Sequence, residues 1–253
     1  MSESPGILTR NTGATIAYHR TEGRNPGVVF LGGFMSDMTG TKATTLEAHC
    51  RGQGRAFLRF DYQGHGQSSG RFEDGTIGLW AADAIEALDR LTEGPQILIG
   101  SSMGGWIMLL VALARPRRVA GLIGIAAAPD FVVPMWEGFS PDIRRQIEQE
   151  GVYRAPSQYS PTPYAITKAL IEDGRTRLLL DRPLALDCPV RLLHGMKDPD
   201  VPWKTSMRLS AALTSADVET ILVKEGDHRL SRPEDLERLC AVLDALSARL
   251  SAG

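Results

Sequence analysis

Cysteine and histidine are scarce in this 253-residue chain, and their scarcity removes whole classes of chemistry. The three cysteines, Cys50, Cys188 and Cys240, lie far apart, with no pair at metal-ligand or redox spacing. An odd, dispersed set suits a reducing compartment and not a disulfide framework. No His, Cys, Asp and Glu cluster has metal-site spacing, so neither a metal nor any other cofactor is expected. Excess charge is missing as well: 28 Lys and Arg against 30 Asp and Glu leave a net charge of −2. Without a basic block the chain lacks the footprint of a nucleic-acid or anionic-membrane binder. Long unbroken apolar runs are also absent. Gly94 to Ala114 covers 21 residues without a charge, long enough to span a bilayer. Pro95 and Gly100-Ser-Ser-Met-Gly-Gly105 interrupt it, so it reads as a strand, a polar turn and a buried helix, with no transmembrane segment. The start, Met1-Ser-Glu-Ser-Pro-Gly6, has no basic stretch followed by an apolar run and is not rich in Arg. Neither a secretory signal nor a mitochondrial presequence is expected there, and the cytoplasm is the default location.

What is present is the composition of a soluble globular protein, 43% hydrophobic and 23% charged. The length predicts a single domain, or one with a large insertion, able to close a core without disulfide or metal staples. Strand-like runs at Thr15–Arg20, Val28–Leu31, Ala56–Phe60, Ile97–Ile99, Gly121–Ile125, Val190–Leu193 and Val218–Val223 alternate with helical patterns. The helices are expected at Thr41–Arg51, Thr76–Leu91, Met103–Ala114, Trp203–Leu213 and Pro233–Leu250. Such alternation predicts an α/β fold with a mostly parallel central sheet flanked by helices. It lapses between residues 130 and 185, where no buried strand is evident. Six of the chain's 16 aromatics fall there: Phe131, Trp136, Phe139, Tyr153, Tyr159 and Tyr164. The segment reads as a helical lid inserted into a core of residues 1–129 and 186–253, lying over the sheet edge where ligands bind.

Gly100-Ser101-Ser102-Met103-Gly104 is a G-x-S-x-G sequence placed between a strand and an apolar helix, the context of a nucleophile elbow. The glycines leave room for a sharp turn that exposes the Ser102 hydroxyl, and the helix directs its positive end at the site. A serine needs a base. Only His194 and His228 follow Ser102, in a topology whose order is Ser, acid, His. His194 ends an apolar run and is read as shaping a strand end, which leaves His228, in the loop between the last strand and the last helix. The acid belongs after the penultimate strand, where Asp198 stands with Asp200 as runner-up; Asp227 adjoins His228, and adjacent side chains diverge. The carboxylate would fix the imidazole tautomer and stabilise the imidazolium. The backbone N–H groups of Met103 and of Phe34, after Gly32-Gly33, are the expected oxyanion donors. Gly64-His-Gly-Gln-Ser-Ser-Gly70 is one residue too long for a dinucleotide fingerprint and lacks a P-loop lysine, so it reads as a tight loop beside the site.

Ser102 in its elbow, Asp198 in H-G-x-x-D and His228 near the end together resemble the α/β-hydrolase superfamily. Longer stretches narrow the resemblance: Phe60-Asp-Tyr-Gln-Gly-His-Gly-Gln-Ser-Ser-Gly70, Gly94-Pro-Gln-Ile-Leu-Ile-Gly-Ser-Ser-Met-Gly-Gly-Trp106, and Arg191-Leu-Leu-His-Gly-Met-Lys-Asp198. With Thr41-Lys-Ala43 and Val201-Pro-Trp203, they are similar to the mitochondrial abhydrolase-domain acyl-protein thioesterases that also cleave mycophenolic acid acyl-glucuronide. The resemblance implies Ser102 as nucleophile, Asp198 as acid and His228 as base, with the oxyanion hole at Phe34 and Met103. It implies an ester or thioester substrate, small or carried on an acylated protein, and no cofactor. Other chemistry on the same triad, carbon–carbon hydrolysis or perhydrolysis, is the rival within catalysis. A ligand-binding module that keeps the triad is the rival outside it.

Overall fold

The computed structural model describes residues 4–156 and 163–251. The first strands are β1 (Gly6–Thr9), β2 (Thr15–Thr21) and β3 (Arg24–Leu31), followed by α1 (Thr41–Gly52), β4 (Arg55–Phe60) and α2 (Ile77–Leu91). Then come β5 (Gln96–Ser101), α3 (Met103–Ala114) and β6 (Val119–Ile125). The last third holds β9 (Val190–Gly195), α7 (Lys204–Ala212), β10 (Val218–Val223) and α8 (Pro233–Ser251). Between these parts lie α4 (Val132–Gly138), α5 (Pro141–Glu150), β7 (Val152–Ala155), β8 (Tyr164–Thr167) and α6 (Lys168–Arg175).

Among the described residues, eight strands form one sheet in the order β1-β2-β4-β3-β5-β6-β9-β10. From β4 to β10 every pairing is parallel, and β1 and β2 add an antiparallel edge. The expected mostly parallel sheet is therefore present, with β1 an edge strand that the apolar pattern did not announce. The run Val28–Leu31 shows why such strands read as continuously apolar. Val29 and Leu31 pack with α2 and α3 on one face, while Val28 and Phe30 pack with α1 and α8 on the other. With side chains alternating along a strand, a sheet covered on both faces needs an apolar residue at every position.

The order also locates the site. The chain steps outward from β3 to β4 and then crosses back to lay β5 on the far side of β3. The carboxyl ends of β3 and β5 flank that reversal, where an open α/β sheet leaves a crevice for a ligand.

Residues 130–185 depart from the expected helical insertion. Besides α4, α5 and α6 they hold β7 and β8, paired antiparallel as a separate two-stranded sheet. β8 is a buried strand: Ala165, Ile166 and Thr167 are 5%, 2% and 8% exposed. Four residues are too few for a period of two to show against the background. Tyr159 lies outside the described residues. The helices themselves follow local signals. Ser140 Oγ accepts from Ile143 N at the start of α5, Pro141 takes the first turn, and Gly151 ends it with φ 82°. Thr167 Oγ1 likewise accepts from Leu170 N at the start of α6.

Candidate active site

Glycine makes the turn after β5. Any Cβ at Gly104 would run into the Leu31 and Gly32 carbonyls, and one at Gly100 into the Gly104 backbone. α3 therefore starts hard against the ends of β3 and β5. Ser102 sits between them with φ 53° and ψ −120°, a strained conformation for a residue with a side chain. Its backbone is fixed on both sides: Ser102 N donates to Ile125 O (2.9 Å), and Ser102 O accepts from Gly105 N (2.8 Å) and Ala128 N (3.0 Å). The hydroxyl is thereby presented above the sheet, and the neighbouring Ser101 is the buried one.

His228, in the β10–α8 loop, places Nε2 3.0 Å from Ser102 Oγ. Its Nδ1 lies 2.8 Å from Asp198 Oδ2. Asp198 follows β9, so Ser102, Asp198 and His228 all lie in loops at the carboxyl ends of parallel strands. The Asp198 side chain is fully buried, yet both of its oxygens are satisfied. Oδ1 accepts from Asp200 N and Val201 N, each at 2.8 Å, and Oδ2 accepts from His228 and from His194 Nε2 at 3.2 Å. Burial by itself would raise this carboxyl, but the hydrogen bonds from His194, His228 and Val201 N hold it well below the usual carboxylate range. Asp200, the runner-up, is exposed, with its carboxylate close to the same imidazole. Asp227 turns back to accept from Leu230 N (2.9 Å).

The loop after β3 lies against the elbow. A Cβ at Gly33 would sit 3.5 Å from Ser102 Cβ, which leaves space for a substrate to reach the backbone there. The N–H groups of Phe34 and Met103 have no partner among the described residues. Asp61 secures the far end of this loop by accepting from Met38 N (2.6 Å) and Gln67 N (2.8 Å). The Phe34 ring makes edge contacts with Phe72 (4.8 Å), Trp80 (5.9 Å), Phe131 (6.0 Å) and Tyr164 (5.8 Å). The Gly64–Gly70 loop serves the structure behind it: Ser68 and Ser69 hydroxyls accept from Ala17 N and Thr15 N of β2.

Ser102, Met103 and His228 open into a cavity of about 890 Å³, within the size of small-molecule sites. Phe34, Phe131, Met135 and Tyr164 line one wall, and Lys42 and Arg229 line another. Lys42 Nζ donates to Arg229 O (2.5 Å) and Ser231 Oγ (3.3 Å), so α1 is tied to the loop that carries His228. Burial, then the charge of Arg229, pushes the Lys42 ammonium down to about 8.

A profile described as "Alpha/beta hydrolase family" matches residues 28–239. The chain belongs to the alpha/beta hydrolase family. Within this family it is 42% identical to the bovine (Bos taurus) protein named "Palmitoyl-protein thioesterase ABHD10, mitochondrial", over 98% of this chain and 81% of that one. The solved structure of mouse alpha/beta hydrolase domain-containing protein 10 superposes with a TM-score of 0.91 at 41% identity, covering 98% of this chain and all of that one. A putative hydrolase from Agrobacterium vitis S4 gives the same TM-score at 38% identity, covering 96% and 97%. These alpha/beta hydrolase relatives correct the cytoplasmic expectation, because the curated ABHD10 proteins are named mitochondrial. Unpaired cysteines report a reducing environment and do not say which compartment supplies it.

Sequence reasoning brought together Ser102, Asp198, His228, Phe34 and Met103, and the structure places all five at one point. It missed His194, which does more than end a strand: its ring is fully buried and touches Asp198, Val201 O (2.9 Å) and, through Nδ1, Ser206 Oγ (2.7 Å). The four-residue step from His194 to Asp198 was visible, but the turn that folds one onto the other was not. Ligand atoms of Asp198, Asp200 and His228 also fall within 4.8 Å of one another, a cluster that a 30-residue separation conceals. Both Asp198 oxygens and both His228 nitrogens there are already engaged in hydrogen bonds.

Proposed function

We propose that this chain is a serine hydrolase that cleaves carboxylic ester and thioester bonds through an acyl-enzyme on Ser102. The observation that carries the reading is the continuous chain Ser102 Oγ–His228 Nε2 (3.0 Å) and His228 Nδ1–Asp198 Oδ2 (2.8 Å), whose first two members line the cavity. The ionised Asp198 keeps the His228 proton on Nδ1, which leaves Nε2 free to accept the Ser102 proton. Ser102 Oγ then attacks the acyl carbon, and the developing oxyanion is held by the Phe34 and Met103 N–H groups. The bond to the leaving sulfur or oxygen breaks as His228 returns its proton to that atom. Water, deprotonated by the same nitrogen, releases the acid and restores Ser102.

The ABHD10 relatives are named palmitoyl-protein thioesterases, and the apolar wall of Phe34, Phe131, Met135 and Tyr164 supports a fatty acyl group here too. We place the acyl chain against that wall, with residues 130–185 acting as a lid within one domain. A fluorophosphonate probe tests the reading: the intact protein should label, and Ser102→Ala should not. Labelling of that variant at the full rate would move the nucleophile elsewhere. Turnover of a panel of short and long acyl esters, acyl-thioesters and an acyl-glucuronide then separates enzyme from binding module. Labelling with no turnover of any member would favour the module.

A further inference from the structure

His194 reaches the same Asp198 oxygen as His228, and its environment fixes a proton on one of its ring nitrogens. Nε2 points at two atoms that only accept, Val201 O (2.9 Å) and the ionised Asp198 Oδ2 (3.2 Å). Nε2 therefore carries a proton, and Nδ1 lies 2.7 Å from the buried Ser206 hydroxyl of α7. Every hydrogen-bonding atom of this fully buried ring is used. One N–H holds both ends of the turn that carries the acid, the Asp198 side chain and the Val201 carbonyl.

We propose that His194 is a positioning residue of the catalytic machinery, an Nε2–H donor that shares Asp198 Oδ2 with His228 and so sets both the aim and the strength of the acid. The inference rests on the reading of Ser102, His228 and Asp198 as the catalytic group. A carboxylate accommodates about four hydrogen bonds, and Asp198 has four. Rotation of the carboxyl would break the His194 and His228 bonds together. An N–H on the shared oxygen also draws charge from it. Without that N–H, Asp198 would hold the protonated form of His228 more tightly, and the base would become available only at higher pH.

The other charged groups around His228 are Asp200 from the β9–α7 loop, Asp227 and Arg229 from its own loop, Lys42 from α1, and Asp37 from the loop after β3. None of them is among the hydrogen-bond partners of His194, which are Asp198, Val201 and Ser206. The test compares His194→Phe, which keeps a ring but no N–H, with His194→Gln, whose amide can still donate toward Asp198. His194→Phe should lower kcat/KM about tenfold with KM nearly unchanged, and should move the acid limb of kcat/KM up by about half a pH unit. His194→Gln should return the limb to its wild-type position.

Because the Phe variant strands the Ser206 hydroxyl in the core, a second measurement uses the unaltered protein. Nitrogen-15 histidine NMR should show the His194 proton on Nε2, hydrogen-bonded toward Asp198, with Nδ1 accepting. An Nδ1–H tautomer at His194 would overturn the proposal. So would a His194→Phe enzyme whose rate falls while its acid limb stays in place, since that is the signature of a purely structural loss. The NMR reading needs no turnover, so it stands or falls separately from the proposed reaction.

Discussion

The strand-end constellation and the segment of residues 130–185 are held by different means. Ser102, Asp198 and His228 each follow a parallel strand, and the backbone that aims them is fixed by sheet hydrogen bonds and close glycine contacts. The segment has its own two-stranded sheet, buries Val132, Ile147, Ile166, Leu170 and Ile171 in the core shared with α2 and α3, and adds side-chain straps at its ends. Asp130, with φ 61°, accepts from Leu179 N and Leu180 N, each at 2.8 Å, and so joins the start of the segment to its end. Asp173 accepts from Gly78 N (2.7 Å), and Trp106 Nε1 donates to Arg177 O (3.2 Å), tying the exit to α2 and α3. The difference separates two tasks. The proposed chemistry sits where sheet and glycine contacts over-determine the backbone, and most of the proposed acyl-facing wall comes from a segment held by packing and side-chain straps.

Substitutions break this comparison from either side, and the largest effect belongs to the constellation. Asp198→Asn should lower kcat about 10⁴-fold by favouring the wrong His228 tautomer, with KM little changed; steady-state kinetics on a chromogenic ester read it. The next effect lies beneath Phe34. His65 is 4% exposed, among Tyr62, Phe72 and Trp80. Burial pushes its imidazole down to about 4 from the ordinary 6.5. Between those values the unfolded chain takes up a proton that the folded protein refuses, so stability falls as pH falls through the window. The full loss approaches about 3 kcal/mol. Urea unfolding at pH 7 and 4.5 should show it, and His65→Phe should flatten the slope.

Cutting a strap should cost somewhat less. Asp130→Ala strands the buried Leu179 N–H and the half-buried Leu180 N–H and should remove about 2 kcal/mol of stability. Limited proteolysis should then cut first within residues 130–185. The smallest effect belongs to the cavity wall: Tyr164→Ala should raise KM for long-chain acyl substrates about fivefold and leave short-chain substrates nearly unchanged. An equal loss for both lengths would place the acyl chain elsewhere.

The same division decided what was legible in the sequence. The sheet was readable because strands covered on both faces are apolar at consecutive positions, as in Val28–Leu31, and the turn chemistry around Ser102 needs glycine at Gly100 and Gly104. His228 and Asp198 followed from chain order and loop position. β7 and β8 were not readable, since four-residue strands carry no periodicity of their own, and β1 is equally short. The His194–Asp198 contact stayed hidden because it arises from a turn, and the Lys42 tie because it joins residues that lie 187 apart. The compartment was misread because thiol pairing and the composition of the first residues do not name one.

Acyl-enzyme trapping tests the central claim most directly. The protein is mixed with a 4-nitrophenyl acyl ester, quenched in acid within the first turnover, digested, and its peptides mapped by mass. The predicted result is one acyl group on the peptide containing Ser102, absent in Ser102→Ala and accumulating in a variant slowed at His228. An acyl group on another residue, or wild-type turnover by Ser102→Ala, would contradict it.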